Sequence, residues 1–257
     1  MSDSITTVAR ALAEARRNNV PADAAPLGSQ LQTPEAAYAV QARVAQELKW
    51  FDAGVPRFWK SGGPKRDGAL THAPLPPAMV WTTTPADARK SHFNMRVVEA
   101  EIALRLARDV TPDEAARLTH HDAPGLVDAM TVSIELVDSR WRDPQQASPL
   151  LKLADQQSHG ALVLGEWIPF APRAWDRQTC RVKIGDAPAR EFVGTHTLAD
   201  PAWLLPIWLR HVTSLEKRAV PKGTVVTTGS WCGMLPANAG DRVHVAFDGV
   251  GEVEVRC

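Results

Sequence analysis

Residues 97–110, "VVEAEIALRLARDV", alternate apolar side chains with small or charged ones, which predicts a β-strand over residues 97–107. Successive side chains of a strand point to opposite faces, so Glu99 and Glu101 share one face while Val98 and Ile102 line the other. Two like charges this close repel each other, which is tolerated in water or around a cation. The segment is therefore either a half-exposed antiparallel strand or one wall of a metal site.

A third carboxylate favours the metal site. Glu135 lies in a second apolar extended run, "AMTVSIELVDSR" (residues 129–140), with Ile134 and Leu136 on the face opposite to it. Three carboxylates on two strands suit an octahedral hard cation such as Mg²⁺ or Mn²⁺, with coordination positions left for water and substrate. Glu99, Glu101 and Glu135 are therefore the predicted metal ligands.

The N-terminal fifth of the chain is predicted to be helical. Residues 4–18 carry apolar side chains at helical spacing, and a second helix begins after Thr33, an N-cap residue followed by Pro34 at the first helical position. Residues 54–87 are rich in proline, glycine and threonine, which indicates loops with short extended pieces. The sequence thus predicts a helical part over residues 1–53 and a β-rich catalytic domain over residues 54–257.

Beyond residue 97 the pattern is of mixed α and β type, with strands dominant. Helices are predicted at about 112–119, 123–129 and 200–214. The chain ends in two alternating runs around Asp248-Gly249, which indicates a closing hairpin. The other extended segments are predicted at residues 130–137, 161–168, 179–185 and 224–228.

Composition excludes several classes of function. The 257 residues carry a formal net charge of zero, which gives no general reason to expect the basic surface that binding to nucleic acids or anionic membranes usually needs. The three cysteines are far apart, which predicts neither a disulfide framework nor a zinc site. The charged N-terminus has no signal-type apolar centre, and we expect a cytoplasmic protein without nucleic-acid or membrane partners.

Taken together, the motifs resemble the fumarylacetoacetate hydrolase superfamily. In order and spacing they are most similar to its 2-keto-4-pentenoate hydratases, also called 2-hydroxypenta-2,4-dienoate hydratases, and to the related 4-oxalocrotonate decarboxylases. The resemblance covers nearly the whole chain. It rests on "WKSG" (59–62), the two acidic segments, "LADQQSHGALVLG" (153–165), "PAWLLPIWLRHV" (201–212), "GTVVTTGS" (223–230) and "AGDRVHVAFDGVGEVEV" (239–255).

The resemblance implies an α+β fold, a mixed β-roll core with a small helical N-terminal part, and assembly as a homo-oligomer. It also implies that the three glutamates hold a divalent metal, Mg²⁺ or Mn²⁺, which binds the C1 carboxylate and C2 oxygen of a small 2-oxo acid or its enol. A cation at the C2 oxygen stabilises the enolate that develops in hydration, decarboxylation and carbon-carbon cleavage.

Further site residues follow from the resemblance. Lys60 matches a lysine that faces the substrate, as counter-charge or proton donor, and Gly62 lets the chain turn close to a ligand. Ser158 and Asp155 match polar residues near the substrate, and each also suits a turn or a cap. The Thr228 hydroxyl and the backbone at Gly229 match a strand end that binds the substrate carboxylate.

One segment departs from the hydratase pattern. After Gly62 the hydratases continue through a longer loop to an aspartate proposed for proton transfer, whereas this chain has a shorter stretch without it. Asp67 and His72 are the nearby groups able to handle protons, and His72 has the more suitable unperturbed pKa. The tandem His120-His121 has no spaced partner and is interpreted as surface loop.

Three functions remain open on this scaffold. The first is a metal-dependent hydratase, a lyase that acts on a 2-hydroxydienoate or small 2-oxo acid, as in the catabolism of aromatic compounds. The second is a carbon-carbon hydrolase of the acylpyruvate or fumarylacetoacetate type, or a 2-oxo acid decarboxylase. The third is a catalytically silent binding protein, which the shortened loop favours and the retained glutamates oppose.

Overall fold

The computed structural model describes residues 3–257, so residues 1 and 2 of the predicted N-terminal part lie outside it. Within this range the fold is of α+β type, as predicted. The α-helices are α1 Asp3–Asn18, α2 Pro34–Leu48, α3 Pro112–Arg117, α4 Pro149–Ala154 and α5 Leu205–Glu216. The strands are β1 Phe58–Gly62, β2 Thr71–Pro74, β3 Val80–Trp81, β4 Ala86–Asp87, β5 Val97–Leu106, β6 Val127–Val137, β7 His159–Leu164, β8 Ile168–Pro169, β9 Thr179–Ile184, β10 Arg190–Val193, β11 Val225–Thr227, β12 Leu235–Pro236, β13 Arg242–Phe247 and β14 Gly251–Arg256.

Two sheets enclose the main core. The larger sheet has the strand order β2-β1-β11-β5-β6-β7-β3, with β12 paired to β5 and β8 paired to β6. The smaller sheet has the order β10-β9-β13-β14-β4. Apolar side chains from one face of β5 and β6, such as Ile102 and Ile134, pack with Val245 and Val253 of the smaller sheet and with Trp208 of α5. Burial of these side chains is the dominant stabilising contribution to the fold.

The helical part has a core of its own. Val8 and Leu12 of α1 pack with Val40 and Val44 of α2, and Trp141 joins them from the loop after β6. The Thr33 hydroxyl accepts a hydrogen bond from the backbone N–H of Ala36 at 3.3 Å, which confirms the predicted N-cap of α2. The boundary at residue 54 remains a prediction.

Local differences from the predicted elements have physical reasons. Helix was expected over 123–129, but only residues 123–126 form a 3₁₀ turn, and β6 begins at Val127 because Pro124 and Gly125 do not sustain a helix. The strand expected over 161–168 extends from His159 to Leu164, and it is followed by Gly165, where a Cβ atom would lie 2.9 Å from the carbonyl oxygen of Glu252. The closing hairpin is confirmed by β13, β14 and their turn at Gly249, whose φ is 66°.

Within residues 3–257, no helix combines the length and the apolar character that crossing a membrane requires.

Candidate metal centre and substrate cavity

Three carboxylates meet on the face of the larger sheet that lies opposite its apolar core. Glu99 and Glu135 are direct partners across the β5–β6 pair, and Glu101 lies opposite Ser133. One carboxylate oxygen from each glutamate lies within 4.8 Å of the other two. Strand alternation keeps the neighbouring Ile102 and Ile134 in the core, so the register of this single strand pair assembles the acidic cluster.

Glu101 is held in place from β11 and the loop that follows it. The Thr227 hydroxyl donates a hydrogen bond to Glu101 Oε2, and the backbone N–H of Gly229 donates to the same atom at 3.1 Å. Gly229 has a φ of 103°, in the left-handed region that favours glycine. Two donors on one oxygen fix the orientation of the Glu101 carboxylate.

Glu135 is held on one oxygen and free on the other. Its Oε1 lies 2.6 Å from Lys60 Nζ and 3.1 Å from His159 Nδ1, and Lys60 Nζ also donates to the Gln157 carbonyl oxygen at 3.2 Å. Its Oε2 is buried and has no hydrogen-bond partner among residues 3–257. An unsatisfied buried acceptor is costly, so this oxygen is a ready ligand for a cation.

The electrostatics favour a hard cation in the same place. Burial and repulsion from Glu101 and Glu135 raise the pKa of Glu99 to about 8, and burial and repulsion from Glu135 raise the pKa of Glu101 to about 7. Burial alone would also raise the pKa of Glu135, but the Lys60 charge and the His159 hydrogen bond hold it below its ordinary value. A set of oxygen donors with excess negative charge fits Mg²⁺, Mn²⁺ or Ca²⁺.

The acidic cluster lies at a cavity of about 610 Å³. Glu99, Glu101, Lys60 and the two predicted glycines, Gly62 and Gly229, all line it. A Cβ atom on Gly62 would lie 3.7 Å from the Gly229 Cα, so the two backbones approach each other closely at the cavity wall. The other lining side chains include Gln157, Phe192, Trp231, Cys232 and Met234. The predicted ligands, Lys60 and both glycines are therefore brought together.

Asp155 is placed elsewhere, contrary to its predicted catalytic position. The side chain is fully buried, and its Oδ1 accepts hydrogen bonds from Arg140 Nε at 2.6 Å and from Arg16 Nη2 at 3.1 Å. Its Oδ2 accepts from the backbone N–H of Arg140 at 2.9 Å. Asp155 lines neither this cavity nor the one beside it, and it instead joins α1 to the segment after β6.

His72 is also outside the cavity lining. It pairs with Ser61 across β1 and β2, and its Nδ1 lies 2.9 Å from the Ser61 hydroxyl. Strand alternation puts the Ser61 side chain on the face opposite to Lys60. Burial lowers the pKa of His72 to about 3, which suits a neutral structural group. Asp67, the other nearby acid, is exposed and pairs with Lys65 at 3.3 Å.

Thr228 and Ser158 are both placed beside the acidic cluster. The Thr228 hydroxyl donates to the Ile102 carbonyl oxygen at 2.7 Å, whereas the neighbouring Thr227 hydroxyl donates to Glu101. Ser158 lines an adjoining cavity of about 590 Å³, which also includes Glu99. Both residues thus lie close to the cluster without contacting its carboxylates through a described hydrogen bond.

Sequence reasoning missed His159 and Gln157. A histidine at the start of a fully buried strand needs a polar partner, which was the available signal for His159. The sequence gave no signal for Gln157. Three consecutive residues, Gln156, Gln157 and Ser158, have a left-handed backbone, and none of them is the glycine that would announce such a turn. This turn presents the Gln157 carbonyl oxygen to Lys60.

The comparisons with known proteins agree with this geometry. The sequence profile of the family described as "Fumarylacetoacetate (FAA) hydrolase C-terminal" matches residues 69–257. The chain belongs to this family. The fumarylacetoacetate hydrolase fold was thus correctly expected from the motifs, and the acidic cluster lies within the matched residues.

Two curated members of the family are similar in sequence. The 2-keto-4-pentenoate hydratase 1 of Dechloromonas aromatica (strain RCB) is 34% identical over 158 residues, which are 61% of this chain and 58% of that protein. The 2-hydroxyhexa-2,4-dienoate hydratase of Comamonas testosteroni is 26% identical over 163 residues, or 62% of this chain and 58% of that protein. The matched part therefore spans less than two thirds of the length of these relatives.

Solved structures share the fold. The 4-oxalocrotonate decarboxylase from Pseudomonas putida G7, complexed with magnesium and adipate, has a TM-score of 0.81 and 17% sequence identity, and the match covers 98% of this chain and 96% of that one. The 5-carboxymethyl-2-hydroxymuconate delta-isomerase from Mycobacterium smegmatis has a TM-score of 0.55 and 15% identity, with 79% and 78% of the two chains covered. Two proteins named for different reactions thus share the fold of this chain.

Proposed function

We propose that the protein is a metal-dependent hydratase of a small 2-hydroxydienoate, the enol form of a 2-oxo acid. The observation that carries the proposal is the buried cluster of Glu99, Glu101 and Glu135 beside Lys60, with one carboxylate oxygen of Glu135 left without a partner. The similarity to named hydratases supports the reaction type.

The three glutamates would hold the cation, which when bound supplies a Lewis acid for the developing enolate charge. Thr227 and Gly229 orient the Glu101 carboxylate, and His159 orients Glu135. Outer contacts of this kind fix ligand geometry in metal sites. The protein's contribution to the site is therefore preorganisation rather than a change of shape.

Lys60 supplies the positive charge beside the acidic cluster. Burial alone would lower its pKa, but the three glutamates outweigh that effect and raise it, so the side chain is an ammonium ion. Lys60 lines the cavity, where its ammonium group can bind the substrate carboxylate. Hydration then converts 2-hydroxypenta-2,4-dienoate and one water into 4-hydroxy-2-oxopentanoate, with the water added at C4.

A decarboxylase is the second candidate, favoured by the composition of the cavity wall. Among the described residues that line the cavity at the cluster, Lys60, Cys232, Glu99 and Glu101 are the titratable ones, so no separate carboxylate or histidine is placed to activate water. When a 2-oxo acid has a second carboxylate that is β to the C2 carbonyl or conjugated with it, loss of that carboxylate as CO₂ leaves an enolate, which needs an electron-accepting site at the C2 oxygen and one proton donor. Product analysis separates the two reactions.

The remaining finer expectations are also proposals. We infer that the cation is Mg²⁺ or Mn²⁺, that the substrate is a small 2-oxo acid or dienol of aromatic catabolism, and that the protein acts in the cytoplasm as a homo-oligomer. The magnesium in the related decarboxylase structure supports the first inference.

The test is turnover of 2-hydroxypenta-2,4-dienoate by metal-stripped protein, followed as loss of dienol absorbance with and without Mg²⁺ or Mn²⁺. We expect metal-restored loss that yields 4-hydroxy-2-oxopentanoate, and no loss in the Glu101→Gln variant, which keeps the shape of the side chain. Release of CO₂ from a dicarboxylic substrate without hydration would favour the decarboxylase. Tight metal binding without turnover of any dienoate, acylpyruvate or 2-oxo acid would favour a silent binding protein.

A further inference from the structure

The peptide group between Thr228 and Gly229 makes a hydrogen bond at each end. Its N–H, on Gly229, donates to Glu101 Oε2 at 3.1 Å. Its carbonyl oxygen, on Thr228, lies 2.9 Å from His196 Nε2. The C=O and N–H groups of a trans peptide are coplanar and point in opposite directions, so a bond that fixes one group also fixes the other. His196 therefore contacts the same peptide plane that orients the Glu101 carboxylate.

The His196 ring is a fixed donor. The side chain is buried, and because a carbonyl oxygen can only accept, Nε2 carries the hydrogen of this bond. Nδ1 is also buried and has no hydrogen-bond partner among residues 3–257, so a second ring hydrogen would be unsatisfied. Burial lowers the pKa of His196 to about 4, in agreement with a neutral ring. The ring thus donates to the Thr228 carbonyl in its neutral form.

The segment that carries His196 also holds the turn that follows β11. The Thr195 hydroxyl donates to the Trp231 carbonyl oxygen, and the rings of His196 and Trp231 pack with centroids 5.2 Å apart. The backbone N–H of Trp231 donates to the Ala100 carbonyl oxygen of β5 at 2.8 Å. Thr195 and Trp231 line the cavity at the acidic cluster, and His196 packs against this wall. The turn is therefore held between β5 and the His196 segment.

This peptide needs support because Gly229 permits more than one orientation of it. Glycine has no Cβ atom and adopts positive and negative φ about equally readily, and the φ of Gly229 is 103°. If the peptide turned over, its carbonyl oxygen would face the Glu101 carboxylate, and the two negatively charged groups would repel. Glu101 Oε2 would also lose one of its two described donors and keep the Thr227 hydroxyl. The His196 bond opposes this rotation.

We propose that His196 is a positioning residue of the metal centre, which acts on Glu101 through the Thr228–Gly229 peptide. The inference rests on the metal site of the proposed function and is independent of the reaction catalysed there. A donor at the carbonyl polarises the peptide, which strengthens the hydrogen bond that its N–H gives to Glu101. Removal of the donor therefore acts on a metal ligand that His196 does not touch.

The test compares His196→Met with His196→Gln. The two new side chains have similar length and flexibility, and only the amide of His196→Gln can donate to the Thr228 carbonyl. Electron paramagnetic resonance titration of the metal-stripped protein measures Mn²⁺ affinity. We expect His196→Met to weaken Mn²⁺ binding about tenfold, the lower end of the range for outer contacts, and His196→Gln to recover most of the loss. Wild-type affinity in His196→Met, or equal losses in the two variants, overturns the inference.

A double-mutant cycle separates positioning from a general loss of structure. In Glu101→Ala the peptide has no carboxylate to orient, so adding His196→Met should change Mn²⁺ affinity little, with titrations carried to millimolar metal. An equal loss with and without Glu101→Ala overturns the inference. His196→Phe keeps a ring against Trp231 and removes the donor, so it should show the same loss and takes the place of His196→Met if that variant does not fold.

Failure of the proposed function is recognised in the wild type. If the wild type binds no Mn²⁺, the metal site is wrong and the inference falls with it. If the wild type binds Mn²⁺ but turns over no dienoate, the proposed reaction fails, and the Mn²⁺ affinities of the variants still decide the role of His196. If the wild type does both and His196→Met binds Mn²⁺ equally well, only the role of His196 is refuted.

Discussion

Replacement of Asp155 by asparagine separates a structural role from the catalytic role that the sequence predicted. Asp155 Oδ1 accepts from Arg140 and Arg16, and Oδ2 accepts from the backbone N–H of Arg140. In Asp155→Asn one oxygen becomes an NH₂ group that faces a donor, and both guanidinium groups lose the Asp155 charge, although Arg140 keeps Asp138 at 3.4 Å. The side chains of Arg140 and Arg16 are only 5% and 14% exposed, so water cannot replace the lost carboxylate charge.

The expected loss of unfolding free energy is about 3–5 kcal/mol, the range for removal of one partner from a buried ion pair. This is a large share of the roughly 5–15 kcal/mol that stabilises a typical domain. Urea unfolding followed by tryptophan fluorescence measures it. The matched control is Asp128→Asn, because the Arg105–Asp128 pair has a similar distance of 2.8 Å but is about one third exposed, and it should cost less than about 1 kcal/mol.

The reasoning would be refuted by a stable but inactive variant. If Asp155→Asn lost less than about 1 kcal/mol of stability and yet turned over no substrate while binding Mn²⁺ normally, Asp155 would act on the substrate, as its sequence motif suggested. We expect the reverse, a destabilised protein whose folded fraction keeps its Mn²⁺ affinity.

Three further predictions concern the site and its surroundings. Glu101→Gln should weaken Mn²⁺ binding by more than the roughly 10- to 100-fold typical of outer contacts. In the wild type the Mn²⁺ affinity should rise from about pH 6 to about pH 9, since protons occupy Glu99 and Glu101 below their raised pKa values. Electron paramagnetic resonance titrations at each pH would show the same affinity throughout if this is wrong. His159→Leu should weaken Mn²⁺ binding about 10- to 100-fold, whereas His159→Asn, which keeps a donor for Glu135, should recover most of it; equal losses in both would argue against an orienting role. The pKa of His72 is about 3 when folded and about 6.5 when unfolded, so the stability it contributes is present above about pH 6.5 and is lost toward pH 3. His72→Gln should therefore reduce the slope of unfolding free energy against pH, between about pH 6 and 4, by up to about 1.4 kcal/mol per pH unit. An unchanged slope would contradict this.

The acidic cluster could be predicted from the sequence on two grounds, the alternation of side chains along a strand and the resemblance to a metal-binding family. Glu99 and Glu101 share a face by period alone, and Glu135 joins them when β5 and β6 pair in antiparallel register. The helices α1 and α2 were predictable for a similar reason, since their apolar spacing and the Thr33 cap are local signals.

The sequence could not show the side-chain contacts that form between distant segments. Thr227 and Thr228 look equivalent in sequence, and only the pairing of β11 with β5 decides which hydroxyl reaches Glu101. Asp155 was named as a site residue from the resemblance, and the sequence did not show its ion pairs because Arg16 and Arg140 are 139 and 15 residues away along the chain. The left-handed turn at Gln157 has no sequence signature.

The opposition of Glu99 and Glu135 across two strands restricts how this family member can change in length. A single residue inserted or deleted in β5 before Glu99 and absorbed by the pairing would turn the Glu99 and Glu101 carboxylates toward the core and Ile102 toward the cavity. A change of two residues would preserve the faces and move only the register. Viable length variants of this strand should therefore differ by even numbers, or place the odd residue in a bulge such as the register shift already present between Arg105 and Leu106.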